Sequence, residues 1–224
     1  MLLSIENIVK NFEQGKDTLQ VLNNICLRVD EKKNIGLIGP SGSGKSTLLN
    51  IIGLIDAPTR GTLKIDNINC DILDQDQRTA FRRKNIGFIF QNNQLLHDFN
   101  CQENIALPLI LNGTGYNAAV LKAQEMLEKL NLQEKFKSKI SILSGGEKQR
   151  VSVLRALIKK PYILLADEPT GSLDENNSIK VFNEILKLAN SQNTLTITAT
   201  HNLNLIKKFD SCYKLEKGRL IEYT

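Results

Sequence analysis

The chain has 224 residues, 41% of them hydrophobic and 24% charged, which is the composition of an ordinary globular domain. This length favours one compact domain with a smaller subdomain. No apolar run approaches the roughly 18 residues of a membrane-spanning helix, which excludes a chain that crosses the bilayer itself. Residues 1–6 lack the charged region and the cleavage site of a signal peptide, so we expect the chain on the cytoplasmic side.

The net charge of +5 and the pI near 9.0 raise the question of a nucleic-acid or anionic membrane partner. The basic residues are spread along the chain, however, and the densest groups, Arg82–Lys84 and Lys207–Lys208, are short. A solvated basic face is therefore the better interpretation, and no nucleic-acid partner is expected. The four cysteines are widely scattered without a CxxC pair, which favours reduced thiols over a metal site or disulfides.

Three strands are predicted in the first part of the chain. Residues 2–8 alternate apolar and polar side chains, which predicts an edge strand, and Phe12 follows in a polar loop. Residues 21–29 alternate in the same way and predict a second strand. Residues 34–38 predict a short buried strand that leads directly into a glycine-rich segment.

That segment has the pattern G-x-x-x-x-G-K-[ST] of a phosphate-binding loop, the P-loop. Its residues are Gly39, Pro40, Ser41, Gly42, Ser43, Gly44, Lys45, Ser46 and Thr47. The glycines let the backbone curl so that successive N–H groups point at a polyphosphate, and an apolar helix opens at the end of the loop. Lys45 can reach the β- and γ-phosphates, and the Ser46 hydroxyl can complete a Mg²⁺ shell. The loop alone leaves kinases, GTPases, helicases and transport ATPases open.

The remaining elements alternate between strands and helices, which predicts an α/β fold. An apolar strand over 85–91 ends in Gln91, and the character is helical from about 92 to 160. A near-continuous apolar run over 162–168 fits a parallel strand covered on both faces. The later predictions are a strand at 62–65, a helix at 179–189, a strand at 194–200, and a hairpin over 211–221 that turns at Lys217-Gly218.

The segment Leu143–Arg150, with the sequence LSGGEKQR, narrows the function. Ser144, Gly145 and Gly146 begin a helix whose N–H groups can face a second anion. The alternative is an ordinary capped helix, because Ser144 and Glu147 also have capping-box spacing.

With this segment, the chain resembles the ATP-binding cassette (ABC) ATPases over essentially its entire length. The resemblance implies an α/β P-loop NTPase of ABC type, with a RecA-like core (about 1–91 and 161–224), an antiparallel β subdomain and an inserted helical signature subdomain (about 92–160). It also implies hydrolysis of ATP with Mg²⁺.

The resemblance assigns roles by motif. It implies that the catalytic residues are Lys45, Gln91, Glu168 and His201. It implies that the nucleotide is bound by Phe12, the nine P-loop residues, Ser144, Gly145, Gly146 and Asp174, and the metal by Ser46, Gln91 and Asp167. Two adjacent buried carboxylates, Asp167 and Glu168, would be costly without a metal or another cation, which argues against a purely structural pair.

The family arrangement also implies partners. Two copies would pack head to tail on binding ATP, with the P-loop of one and the signature motif of the other enclosing each nucleotide. A transmembrane permease would dock after Gln91, where Leu95, Leu96 and Phe99 form a candidate apolar patch; core packing of these three side chains is the alternative. His97 nearby is interpreted as a surface residue.

Within the family, residues 95–109 are similar to the lipoprotein-releasing ATPases of the LolD type, which work with LolC/LolE-like permeases at the cytoplasmic face of the bacterial inner membrane. The alternatives are an FtsE-like ATPase of cell division, a MacB-type exporter, and a soluble ABC ATPase acting on DNA or ribosomes. The chain departs from the usual family pattern at Lys32-Lys33, Asn93-Gln94 and Asn202, none of which removes a phosphate or Mg²⁺ contact.

Overall fold

The computed structural model describes residues 1–15 and 17–223. The chain divides into two compact units, one formed by Met1–Arg82 with Leu195–Thr224 and the other by Arg83–Thr194. The strands, in chain order, are β1 (Leu3–Gln14), β2 (Asp17–Val29), β3 (Asn34–Ile38), β4 (Arg60–Ile65), β5 (Ile68–Asn69), β6 (Ile86–Ile89), β7 (Ile163–Asp167), β8 (Leu195–Thr200), β9 (Ser211–Glu216) and β10 (Arg219–Tyr223). The α-helices are α1 (Lys45–Ile52), α2 (Gln75–Asn85), α3 (Cys101–Leu111), α4 (Tyr116–Glu128), α5 (Gly145–Leu157) and α6 (Glu175–Ser191).

The first unit contains an antiparallel sheet in the order β2-β1-β4-β5. β1 lies between two neighbours, so the predicted edge position of residues 2–8 is wrong. Its ladder with β2 continues to the pair Gln14↔Asp17 and includes Phe12↔Leu19. Phe12 therefore lies in a strand and not in a polar loop, because hydrogen bonding to β2 organises a segment whose own sequence is polar.

The same unit contains a parallel arrangement around β3, all of whose residues are buried. β3 pairs in parallel with β8 on one side and with β9 on the other. β9 and β10 form the predicted hairpin, and Lys217 and Gly218 at its turn both have positive φ, at 49° and 73°. Pairing with a strand on each side fixes the end of β3, where the P-loop begins.

The second unit pairs β6 with β7 in parallel and packs α3 against α4 and α5. Asn104 on α3 is fully buried, and its amide nitrogen donates to the carbonyls of Leu96, Phe99 and Asn100. The helical character predicted for about 92–160 is confirmed here by α3, α4 and α5. The subdomain boundaries near residues 92 and 160 stay a prediction, and helix α2 was not predicted from the sequence.

Candidate nucleotide-binding site

The P-loop connects the end of β3 to the start of α1. A Cβ added to Gly39 would lie 2.4 Å from the carbonyl oxygen of Leu215, so only glycine fits against the β9 backbone there. Gly44 occupies the helix N-cap with φ 100°, and it makes no side-chain capping bond. The first N–H groups of α1 are thus not capped by a side chain at this position, which suits an anion.

The P-loop lysine already lies in the curl of the loop. Lys45 is only 7% exposed, and its Nζ donates to the carbonyls of Gly39 at 2.8 Å and Pro40 at 3.0 Å. The buried Ser43 Oγ has no hydrogen-bond partner among the described residues. A buried ammonium, an unpartnered hydroxyl and the start of a helix form a donor set that fits a polyphosphate.

His201 follows β8 directly, and its position is set by the register of two strands. Ile38 of β3 is paired with Thr200 of β8 in a parallel ladder. Gly39 and His201 consequently leave adjacent strands at the same edge, and the His201 side chain is exposed there. The first unit therefore brings His201, which is predicted to be catalytic, to the same sheet edge as the P-loop.

Phe12 is 38% exposed, and the ammonium of Lys10 lies 4.9 Å from the centroid of its ring. The exposed part of the ring can stack on a flat heteroaromatic group. Lys10 was not singled out from the sequence, because its hydrogen-bond partners, Asp56 and Ala57, lie 46 and 47 residues away along the chain.

In the second unit, a parallel ladder aligns three further candidates. Ile89 of β6 is paired with Ala166 of β7, so the segments that carry Gln91, Asp167 and Glu168 emerge from neighbouring strands at the same edge. Asp167 and Glu168 are half-buried, and Glu168 has a left-handed backbone with φ 46°. A non-glycine residue in this conformation costs about 1 kcal/mol or more and is common in functional turns.

The signature segment has the capping-box geometry. The Ser144 N–H donates to Glu147 Oε2 at 2.8 Å, and the Glu147 N–H donates to Ser144 Oγ at 3.3 Å. Helix α5 is therefore a capped helix, as the alternative interpretation predicted. Ser144 and Gly145 at its start are exposed to solvent. An added Cβ on Gly145 would lie 3.6 Å from Leu173, which places the signature glycines beside the segment leading to Asp174.

Asp174 is the N-cap of α6. Its carboxylate accepts from the Asn177 N–H at 3.1 Å and from the Asn177 amide at 2.6 Å, and these hydrogen bonds hold the pKa of the carboxyl below its ordinary value. The nucleotide role predicted for Asp174 remains a prediction.

Among the described residues there is no cluster of three or more His, Cys, Asp or Glu side chains that could hold a metal ion unaided. Mg²⁺ in nucleotide sites is commonly bound by one or two carboxylates, waters and the phosphates themselves. In the first unit the Ser46 hydroxyl is exposed, and in the second unit the Asp167 carboxylate is half-buried; each is an oxygen ligand of the kind that Mg²⁺ takes.

Residues 22–171 match the family model described as ABC transporter. The chain belongs to this family. The ABC chain is 43% identical, over 98% of its length and 95% of the relative, to the lipoprotein-releasing system ATP-binding protein LolD of Pseudoalteromonas translucida. It is 41% identical to LolD 1 of Rhodospirillum rubrum, over 98% of this chain and 97% of the relative. It is 44% identical to LolD of Rickettsia conorii, with the same two coverages.

Two solved ABC structures are also similar to this chain. The dimeric post-hydrolysis state of the ATP-binding cassette MJ0796, bound to ADP and Pi, has a TM-score of 0.91 and 36% identity, and the match covers 100% of this chain and 98% of the other. A second dimeric structure of MJ0796 has a TM-score of 0.91 and 37% identity. The predicted ABC ATPase fold is confirmed, and the chain is an ATPase of this type.

Arg155 of this ABC chain was not predicted from the sequence, because it belongs to none of the family motifs. Arg155 on α5 donates to the carbonyls of Asn93 and Gln94, just after Gln91. Asn93 and Gln94 depart from the usual family pattern, but Arg155 contacts only their main-chain carbonyls, which every residue type has. Asn202, another departure, accepts from the Asn204 N–H at 3.0 Å and caps a short 3₁₀ helix (Leu203–Lys208).

Proposed function

We propose that this chain is the ATP-hydrolysing subunit of a bacterial lipoprotein-releasing transporter. The observation that carries the proposal is the match, at about 40% identity over nearly the full length, to relatives that are all named as lipoprotein-releasing system ATP-binding proteins. Hydrolysis would power the extraction of lipoproteins from the inner membrane for transfer to a periplasmic carrier.

In the proposed site, the P-loop N–H groups and Lys45 hold the triphosphate. Lys45 would exchange its two carbonyl partners for the phosphate oxygens, which are stronger acceptors because they are charged. Mg²⁺, held by Ser46, Asp167 and Gln91 together with the phosphates, would neutralise charge on the β- and γ-phosphate oxygens. Phe12 would stack on the adenine.

Glu168 would orient and polarise the water that attacks the γ-phosphate, and His201 would donate to that phosphate. Phosphoryl transfer depends mostly on positioning and charge stabilisation, so a half-buried carboxylate directly after a strand suits this role. Gln91, which follows β6 at the sheet edge where Glu168 follows β7, would complete the surroundings of that water.

Each site would be completed by a second copy of the chain. Ser144, Gly145 and Gly146 begin a helix at the protein surface, and their N–H groups can face a phosphate presented by another molecule. Asp174, close to this helix start through Leu173, would line the same interface. The solved relatives are dimeric, which supports a homodimer formed on ATP binding.

No helix in the described part of the chain is both long and apolar enough to cross a bilayer. We place the subunit at the cytoplasmic face of the inner membrane, bound to LolC/LolE-like permease subunits. The three side chains of the candidate docking patch differ in exposure. Leu95 is buried, whereas Leu96 and Phe99 are 42% and 38% exposed. The two exposed side chains can contact a permease, and Leu95 belongs to the core.

The catalytic part of the proposal is tested with Glu168→Gln, which removes the carboxylate and keeps its size. The variant should bind Mg-ATP, form a dimer on gel filtration, and hydrolyse ATP at least about a hundredfold more slowly. A variant that stays monomeric with ATP would contradict the sandwich dimer. Capture of a LolC/LolE-like permease with the tagged chain from membranes tests the transport part, and capture of a division protein instead would favour the FtsE-like alternative.

A further inference from the structure

Lys10 is held by three contacts that converge on its ammonium. The Nζ donates to Asp56 Oδ1 at 2.7 Å and to the Ala57 carbonyl at 2.8 Å, and it lies 4.9 Å from the centroid of the Phe12 ring. Its side chain is 13% exposed, whereas that of Asp56 is 35% exposed. An ordinary surface lysine keeps its ammonium in water, so this one is held in place by its surroundings.

The backbone of β1 turns Lys10 towards these partners. The β1–β2 register shifts on both sides of Lys10, between Ile8 and Lys10 and again between Lys10 and Asn11. Such irregularities bend a strand and redirect its side chains. Lys10 and Phe12, two residues apart, are brought together beside the loop that follows α1.

That loop is tied to β1 by further hydrogen bonds. The Asn11 N–H donates to Thr59 Oγ1 at 2.9 Å, and the Thr59 N–H donates to the Val9 carbonyl at 2.8 Å. At its other end, the Asp56 N–H donates to the carbonyl of Asn50 in α1 at 3.2 Å. A continuous set of contacts therefore runs from the helix of the P-loop, through Asp56 and Lys10, to the Phe12 ring.

We propose that Lys10 is a positioning residue that fixes the Phe12 ring for stacking on a purine base, with Asp56 as its anchor. The cation lies against the ring and restrains it, while the exposed part of the ring stays free to receive the base. The pair thereby selects nucleoside triphosphates over triphosphates without a base. This inference rests on the proposed function, in which the P-loop binds ATP.

The test compares Lys10→Met, which keeps the apolar stem and removes the cation, with Lys10→Arg, which retains a cation and its donors. The ligands are Mg-ATP and Mg-tripolyphosphate, and the measurements are calorimetric affinity and the steady-state KM and kcat. Lys10→Met should raise Kd and KM for ATP about three- to tenfold, because the Phe12 ring loses both its cation–π contact and the restraint that this contact provides. Its kcat should fall less than twofold, and tripolyphosphate affinity should not change.

Lys10→Arg should restore most of the ATP affinity. In a Phe12→Leu background, Lys10→Met should add no further loss, since the ring it positions is gone. The matched control is Lys122→Met, which removes an exposed lysine paired with Glu125 at 2.6 Å and should leave both affinities unchanged.

An equal loss of ATP and tripolyphosphate affinity would overturn the proposal, because Lys10 would then act on the loop and not on the base. Unchanged ATP affinity, or additive losses with Phe12→Leu, would overturn it as well. If Lys10→Met does not fold, Asp56→Asn gives the same test through the anchor. A wild-type chain that binds neither ligand would refute the proposed function itself.

Discussion

Arg155 Nη2 donates to the main-chain carbonyl of Asn93 at 2.7 Å, and Nη1 donates to that of Gln94 at 2.7 Å. Ser152 Oγ adds a contact to the Asn93 carbonyl at 3.3 Å. Asn93 and Gln94 both have φ 47°, a conformation that non-glycine residues rarely adopt in succession. Helix α5, which begins with the signature glycines, thus holds a strained segment close to Gln91.

We expect Arg155→Met to lower the free energy of unfolding by about 1–3 kcal/mol, because the Asn93 and Gln94 carbonyls lose their guanidinium donor and the strained segment loses its support. Urea titration measures the change. Arg219→Met, at an exposed position on β10, is the matched control and should stay within about 0.5 kcal/mol of wild type. Equal stability of both variants would show that the hydrogen bonds from Arg155 to Asn93 and Gln94 do not stabilise the fold.

Two substitutions at Ser144 separate its capping role from the proposed ATP contact. Ser144→Ala removes the cap of α5 and should cost about 1 kcal/mol of unfolding free energy. Ser144→Asp keeps a capping oxygen and should retain stability, but its charge would repel the γ-phosphate across the dimer. Size-exclusion chromatography with Mg-ATP, in the Glu168→Gln background, should therefore show loss of the dimer in Ser144→Asp. A stable ATP-bound dimer of that variant would contradict the interface.

The Glu147 carboxylate predicts a pH dependence of stability. The hydrogen bond from the Ser144 N–H, with help from Lys135, holds the pKa of Glu147 below its ordinary value. Because the folded pKa is lower than the unfolded one, the stabilisation is complete above the unfolded pKa of about 4.3 and is lost as the pH falls through the folded pKa. Glu147→Gln should thus be less stable than wild type at neutral pH, with the gap closing in acid. Urea midpoints across pH measure it, and a constant gap would contradict the charge effect.

The thiols should differ sharply in reactivity. Burial raises the pKa of Cys70 and of Cys101 to about 11, and burial also raises the pKa of Cys212, whereas Cys26 is exposed. An aromatic disulfide reagent at about pH 8 should label Cys26 quickly and the other three only on unfolding. Cys26→Ser should abolish the fast phase. A fast phase of more than one thiol per native chain would show that a buried cysteine opens readily.

The local patterns were enough to predict much of the fold. The P-loop, the strand before it and the turn at Lys217-Gly218 were predicted correctly because a buried run, a glycine pattern and a two-residue turn act over a few residues. The capping box of α5 was likewise readable from Ser144 and Glu147. The role of each candidate side chain in ATP hydrolysis is still a prediction.

Other features depend on contacts that no local pattern contains. The central place of β1, and with it the strand position of Phe12, follows from pairing with β2 and β4. Lys10 meets Asp56 across 46 residues, and Arg155 meets Asn93 across 62. The sequence by itself determined which segments have the phosphate-binding motifs, since each motif is complete within a short stretch. Only the tertiary structure decided which side chains hold those segments in position, because such contacts depend on the packing and register of elements far apart in the chain.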